Sequence, residues 1–271
     1  MSGGAVLQQT FRYVGRRLPA NARDSVMLAL EEGSPGPLDL LYEVGAEARL
    51  PSDRILERAA AIFINFCAFN LSDDLSDGEC DYLPDPERNG PCVQLILQIL
   101  FFDLLAEAHL PYSLISRVAK RLMTAGESQL VELRTRKWTA PFSRFVGEGV
   151  AGGQWSAYLE IMWFGTRLAT RAATIGMNLG IATYVADDIS SADCRYATLS
   201  KADKRGVVNW ACRAVESLHS ERLACLEAAL KRIDPVLETA IRTKRGAILT
   251  SDRRSSARYS EQKEERSPIY L

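Results

Sequence analysis

Histidine is almost missing from this chain: His109 and His219 are the only two among 271 residues. That leaves little room for a multi-histidine metal cage or for a mechanism built on paired histidine bases. The six cysteines (Cys67, Cys80, Cys92, Cys194, Cys212 and Cys225) include no C-x-x-C pair and do not cluster. A zinc site or disulfide scaffold is therefore not expected, and a reduced, cytoplasmic setting is. Charge of one sign is also lacking, with Lys+Arg 33 against Asp+Glu 34 and a formal net charge of −1. Such balance argues against a nucleic-acid partner and against a polybasic membrane surface. Met1 to Thr10 shows no basic stretch leading into an apolar core, so no signal peptide is expected. The most apolar stretch, Val93 to Leu110, is interrupted by Gln94, Gln98, Asp103 and Glu107. It reads as a buried helix with no membrane span.

What remains is 47% hydrophobic and 25% charged, enough for one large core or two small ones. Apolar residues recur three and four apart, and alternating β-branched runs are nearly absent, so the expectation is an all-α fold. Glycine and proline gather in four short segments that read as breaks: Gly33 to Pro37, Leu83 to Pro86, Asn89 to Pro91, and Gly152-Gly153. Ser52 reads as the N-cap of a helix running through the seventies. Further helices are expected over 92–109, 112–137, 154–192, 200–232 and 235–248. The chain divides into one helical domain over 1–248 and a polar tail over 249–271, either mobile or a lid that orders late.

Two aspartate motifs stand out. Asn70-Leu-Ser-Asp73-Asp74-Leu-Ser-Asp77 follows an apolar helix face at Ile55, Ala59, Ile62, Phe66 and Phe69, and the same spacing carries on to Asp73 and Asp77. Carboxylates four residues apart lie about 6 Å apart along a helix, at about 1.5 Å rise per residue. They can share or bridge Mg²⁺ ions that also bind a phosphate. The second motif runs from Gly180 to Asp193, with Gly180, Tyr184 (or Thr183), Asp187 and Ser191 on one face beside Asp188. Both pairs follow long apolar runs and so fall at the helix end that disfavours negative charge, which is costly unless a cation compensates. Two such helices imply a deep apolar pocket with a metal cluster at its mouth.

These residues resemble the trans-isoprenyl diphosphate synthase (polyprenyl synthetase) family, whose class I fold is all-α. Ala59 to Gly78 resembles its first aspartate-rich helix, and Gly180 to Asp188 its second. Glu87 to Pro91 is similar to the arginine-glycine-proline element that grips diphosphate. Met123 to Glu127 is similar to the glycine-glutamine helix, and Trp138-Thr139-Ala140 to the lysine-threonine-alanine segment. Gly15-Arg16-Arg17-Leu18-Pro19 resembles the family's glycine-lysine-arginine box, one residue short and too far upstream. The resemblance implies an enzyme acting on an allylic prenyl diphosphate with Mg²⁺ as cofactor. Asp73 and Asp77 would hold two ions and Asp187 a third, with Asp74 and Asp188 beside them. Arg88, Lys137, Lys201 and Lys204 would contact diphosphate. Phe66, Phe69, Asn70, Trp138, Thr139 and Tyr184 would line the pocket, with Phe69 at the place where the family sets product length by side-chain bulk. A homodimer is implied by the resemblance alone.

The departures bear on the acceptor. In this register the family's histidine falls on Phe66, its lysine on Trp138 with Lys137 one position off, and its phenylalanine-glutamine pair on Thr183-Tyr184. The histidine and lysine are positions that hold isopentenyl diphosphate. Aromatic faces attract positive charge by about 0.5 to 2 kcal/mol, so the replacements suit a pocket that faces a carbocation. The second motif carries Ser191 where a final aspartate belongs, with Asp193 two residues on. It partly resembles the metal motif of terpene cyclases, although Arg195 stands in place of that motif's glutamate. The expected reaction is prenyl transfer to an acceptor other than ordinary isopentenyl diphosphate. The alternatives are a cyclase, for which Arg258-Tyr259 in the tail is a faint signal, and a non-catalytic partner subunit, against which the intact aspartates count.

Overall fold

The computed structural model describes residues 3–33, 37–135, 137–191 and 194–246. The chain is all-α, with no strand among the described residues. Three helices precede the first aspartate motif: α1 (Gly3–Arg17), α2 (Ala20–Glu32) and α3 (Leu38–Glu47). The sequence reading did not delineate them. Next come α4 (Ser52–Asp77), α5 (Pro86–Glu107), α6 (Tyr112–Arg134) and α7 (Ala140–Gly147). A π-helical turn over Glu148–Gly152 joins α7 to α8 (Gly153–Trp163) without a break. The rest is α9 (Ala172–Ser190), the single turn α10 (Cys194–Thr198), α11 (Lys201–Glu221) and α12 (Ala224–Gly246). One hydrophobic core runs from Val6 to Leu237 and includes Phe63, Phe101, Tyr158 and Trp163.

Several expected boundaries move. Pro51, not Ser52, is the N-cap of α4, and no side chain caps it. Asn89 to Pro91 is no break, because α5 starts at Pro86 and Pro91 lies inside it. The carbonyl robbed of a helical partner there belongs to Glu87, which is exposed to solvent. Gly152-Gly153 is likewise helical. A Cβ at Gly152 would meet the Met177 sulfur at 2.4 Å, so glycine there serves close packing. The expected single helix over 154–192 is interrupted instead at 164–171, where Gly165 takes φ +75°. Farther on, Arg222 in the left-handed region ends α11, and α12 then runs through Pro235. Residues 249–271, including Arg258 and Tyr259, lie outside the described residues, as does Asp193.

Both α4 and α5 have the length and apolar composition of a membrane span, but 67% of the most apolar stretch of α4 is buried inside the bundle. That is the profile of a core helix, whereas the corresponding stretch of α5 is 39% buried. Helix α4 packs along α5 and also meets α1, α2, α3 and α8. On the other side α9 packs on α8, α11 and the π-helical turn. The two central helices α4 and α9 carry the two aspartate motifs.

Candidate active site

The residues of α4 from Ala59 to Leu71 are buried except for Phe66, Phe69 and Asn70. These three lie on one face, and the next steps along it are Asp73 and Asp77, both exposed. A partly open, largely aromatic strip thus leads down from carboxylates. Asp73, Asp74 and Asp77 occupy the last turn of α4, which has no basic residue, and Gly78 closes the helix in the left-handed conformation. Asp187 and Asp188 occupy the last turn of α9, also without a basic residue. Both motifs therefore sit at the negative end of a helix dipole, where each carboxylate is unfavourable by about 0.3 to 1 kcal/mol unless a cation compensates.

Helix α6 and the π-helical turn link the two motifs. Gln129 on α6 donates from Nε2 to Asp73 Oδ1 at 3.4 Å. Its neighbour Ser128 sits so tightly on Gly149 that a Cβ there would lie 1.9 Å from the serine hydroxyl. Two residues before Gly149, Gly147 faces the ring of Tyr184, one turn before Asp187. Sequence reading matched the wrong residues of α6: Glu127 is exposed, and the inward row is Ser128, Gln129 and Glu132, all buried.

Helix α9 reaches its place through glycine. A Cβ at Gly180 would lie 2.2 Å from the Ala151 carbonyl oxygen, and one at Gly176 would lie 2.3 Å from that of Trp155. Gly180 thus serves helix contact, one turn from the half-buried Tyr184 and two from Asp187. The hydroxyls of Thr183 and Ser191 are both spent on carbonyls within α9, on Leu179 at 2.7 Å and Asp187 at 2.8 Å.

The second residue of the first motif behaves differently from its neighbours. Asp74 is half-buried and accepts the Tyr82 hydroxyl at 2.7 Å. Burial raises its carboxyl above the usual value, partly offset by that hydrogen bond. Burial, the bond to Asp74 and its charge also push the Tyr82 hydroxyl well up.

The expected cations are distributed as follows. Arg88 is exposed in the first turn of α5, and Gly90 on the next part of that helix rests against Leu75, between Asp74 and Asp77. Lys137 is exposed, and its charge helps to hold the Asp203 carboxyl low, after the Ser200 hydroxyl and the Ala140 amide. Asp203 accepts the Ala140 N–H at 3.0 Å and so ties the start of α7 to the start of α11. Thr139 caps α7 by accepting the Phe142 N–H at 3.4 Å, and Trp138 meets the Phe142 ring edge-on with centroids 4.9 Å apart. Lys204 donates to the Ala197 carbonyl at 2.8 Å and lies 5.5 Å over the Tyr196 ring. Burial, and then the charge of Asp188, raise the Tyr196 hydroxyl, which puts Lys204 in the surroundings of the second motif. Lys201 is exposed in the first turn of α11.

The Gly15 to Pro19 segment is not part of this assembly. Arg17 pairs with Asp103 at 3.0 Å and with Glu107, and its guanidinium lies 4.9 Å from the Tyr13 ring centroid. Arg12, Arg16, Glu57 and Ala60 line one cavity with Tyr13. Ala60 precedes Asp73 by 13 residues, about 20 Å along α4 at 1.5 Å per residue. The two arginines therefore belong to the opposite end of the bundle.

Among the described residues no three acidic, histidine or cysteine side chains converge into a ready metal cage. The donor set nonetheless fits Mg²⁺. It consists of carboxylates alone, hard oxygen ligands in two helix ends whose last turns carry no basic residue, and Mg²⁺ is commonly held by one or two carboxylates with phosphate oxygens and water supplying the rest. Asp73, Asp77 and Asp187 are the residues that would hold it.

The all-helical fold is one that solved isoprenoid synthases share. No family model and no curated protein matches the chain. Among solved structures, geranyltranstransferase from Thermotoga maritima aligns with 16% identity and a TM-score of 0.62, over 90% of this chain and 97% of that one. An isoprenoid synthase family member from Thermotoga neapolitana gives 17% and 0.65, over 89% and 98%. An FPP/GFPP synthase from Zymomonas mobilis gives 18% and 0.61, over 88% and 95%. At these identities the likeness is one of fold.

Proposed function

We propose that this chain is a Mg²⁺-dependent isoprenoid enzyme that ionises an allylic prenyl diphosphate and transfers the prenyl group to an acceptor other than ordinary isopentenyl diphosphate. The observation that carries the reading is the pair of acidic last turns on α4 and α9, linked through α6 and the π-helical turn, above the strip formed by Phe66, Phe69 and Asn70. When bound, Mg²⁺ neutralises charge on the departing diphosphate. Arg88, Lys137, Lys201 and Lys204 add positive charge around the same anion. The apolar strip excludes water, and its aromatic faces favour the allylic cation over the neutral chain. Released diphosphate accepts the final proton, so no histidine base is needed.

The choice of acceptor rests on the cations that would hold a second diphosphate. Phe66 and Trp138 stand where the resembled family has histidine and lysine. Arg17 is engaged with Asp103 and Glu107 at the far end of α5. A homodimer is part of the same proposal. It is supported by the outer face of α5, where Leu95, Ile99 and Phe102 are 61%, 60% and 36% exposed at helical spacing.

One assay tests the proposal. Purified protein with Mg²⁺ is given geranyl, farnesyl or geranylgeranyl diphosphate, with and without isopentenyl diphosphate and candidate acceptors, and extracts are read by mass spectrometry. Prenylated acceptor is the expected product. A cyclic hydrocarbon from one substrate alone would overturn transfer. Absence of turnover, with stimulation of a separate synthase, would overturn both enzyme readings.

A further inference from the structure

We infer that Tyr82 is a positioning residue for the diphosphate site, acting through Asp74 to hold the α4–α5 turn that presents Arg88; the inference rests on the function proposed above. Asp74 anchors this turn twice. Its backbone carbonyl accepts the N–H groups of Gly78 and Glu79, the latter at 2.8 Å, and its carboxylate accepts the Tyr82 hydroxyl at 2.7 Å. One carboxylate oxygen is thereby committed away from Asp73 and Asp77, so the Asp-Asp pair divides its work. Asp73 turns to α6 through Gln129, and Asp74 turns to the loop.

The loop then delivers α5 by a short series of fixed contacts. Cys80 and Leu83 are buried on either side of Tyr82, and the Cys80 thiol interacts with the tyrosine hydroxyl. Asp85 adopts φ +50°, an unusual conformation for a non-glycine residue, and its carbonyl accepts the N–H groups of Arg88 at 3.1 Å and Asn89 at 2.9 Å. The Asn89 side chain returns to the Pro84 carbonyl, and Gly90 lodges on Leu75, one residue from Asp74. Arg88 itself is exposed. Its position relative to the first motif is thus set by the turn, and the Tyr82 to Asp74 hydrogen bond ties that turn to the motif.

The test uses the full-length chain and Mg²⁺ with inorganic pyrophosphate, followed by calorimetry, and steady-state kinetics with the allylic diphosphate the enzyme accepts. Loss of an outer hydrogen bond that orients a charged site costs about 10- to 100-fold in affinity. Tyr82→Phe is expected to weaken Mg²⁺-pyrophosphate binding about tenfold and to raise KM similarly, with kcat changed much less. Backbone hydrogen exchange over 79–85 is expected to speed up while α8 and α9 keep wild-type protection. Adding Arg88→Ala to Tyr82→Phe is expected to weaken binding less than the product of the two single effects, because both act through one contact with the anion. Wild-type binding in Tyr82→Phe, fully multiplicative effects in the double variant, or unchanged loop exchange would each overturn the inference. If the wild-type chain itself binds no Mg²⁺-pyrophosphate, the proposed function fails, and this inference fails with it.

Discussion

At Asp73 and Asp187 the argument for a cation is one of placement. A carboxylate near the C-terminus of a helix meets the negative end of the helix dipole, and nothing basic in either last turn relieves it. Asp73→Ala and Asp187→Ala should therefore abolish turnover while leaving the fold intact. Substantial activity retained by either variant, in a sample with wild-type circular dichroism, would refute the metal assignment. Phe69 answers a different question. It is partly open one turn before Asp73, and under the proposed function its ring would stand in the path of the prenyl chain. Phe69→Ala should shift the accepted or formed prenyl chain to a longer one, read by chromatography of the dephosphorylated products; an unchanged profile would remove Phe69 from the pocket wall. At this scale spacing placed Phe66, Phe69, Asp73 and Asp77 on one face of α4, while the roles expected of them came from the resemblance. Gln129 and Tyr82 were not legible, because each acts across tertiary contacts, from α6 and from the α4–α5 turn, that no local pattern encodes.

The elements show where periodicity informs and where it does not. The central helix α4 was readable because its core-facing residues recur with helical spacing over 26 residues and end in a left-handed glycine. Glycine misled at 152–153, since a glycine pair reads as a break when its neighbours are unknown. Here it is the contact surface for Met177, next to the π-helical turn on which α9 rests. The close approach of α9 to this turn at Gly180, two turns before Asp187, leaves no room for a methyl group. Gly180→Ala would set a Cβ at 2.2 Å from the Ala151 carbonyl oxygen and 2.4 Å from its carbon, both backbone atoms that cannot turn aside. The variant should lose about 1 to 3 kcal/mol of stability, the usual cost of overpacking, and lose more activity than the remaining folded fraction explains. Urea unfolding checks the first effect and specific activity at saturating Mg²⁺ the second. A wild-type midpoint would mean that α9 does not lie so close to the π-helical turn.

For the whole molecule, the distribution of apolar surface is the remaining unexplained feature. Helix α5 buries Val93, Leu97, Leu100, Phe101 and Leu104 against α4 and α2, yet Leu95, Ile99 and Phe102 form a second apolar stripe on its far side. A helix apolar on two faces is expected between two partners, and this molecule supplies one. The sequence made that helix look uniformly buried, because hydrophobicity reports what prefers to leave water and not which copy of the chain covers it. A second copy related by a two-fold axis would place the stripe against itself, closing the exposed patch without leaving a free edge. Replacing Leu95 and Ile99 together by glutamate should then yield a monomer in sedimentation velocity at concentrations where the wild type runs as a dimer. Because both side chains are more than half exposed in the monomer, the substituted chain should keep its helical content, so that loss of association is separable from loss of fold. A wild type that sediments as a monomer at tens of micromolar would overturn the dimer and leave the stripe as a surface for some other apolar partner.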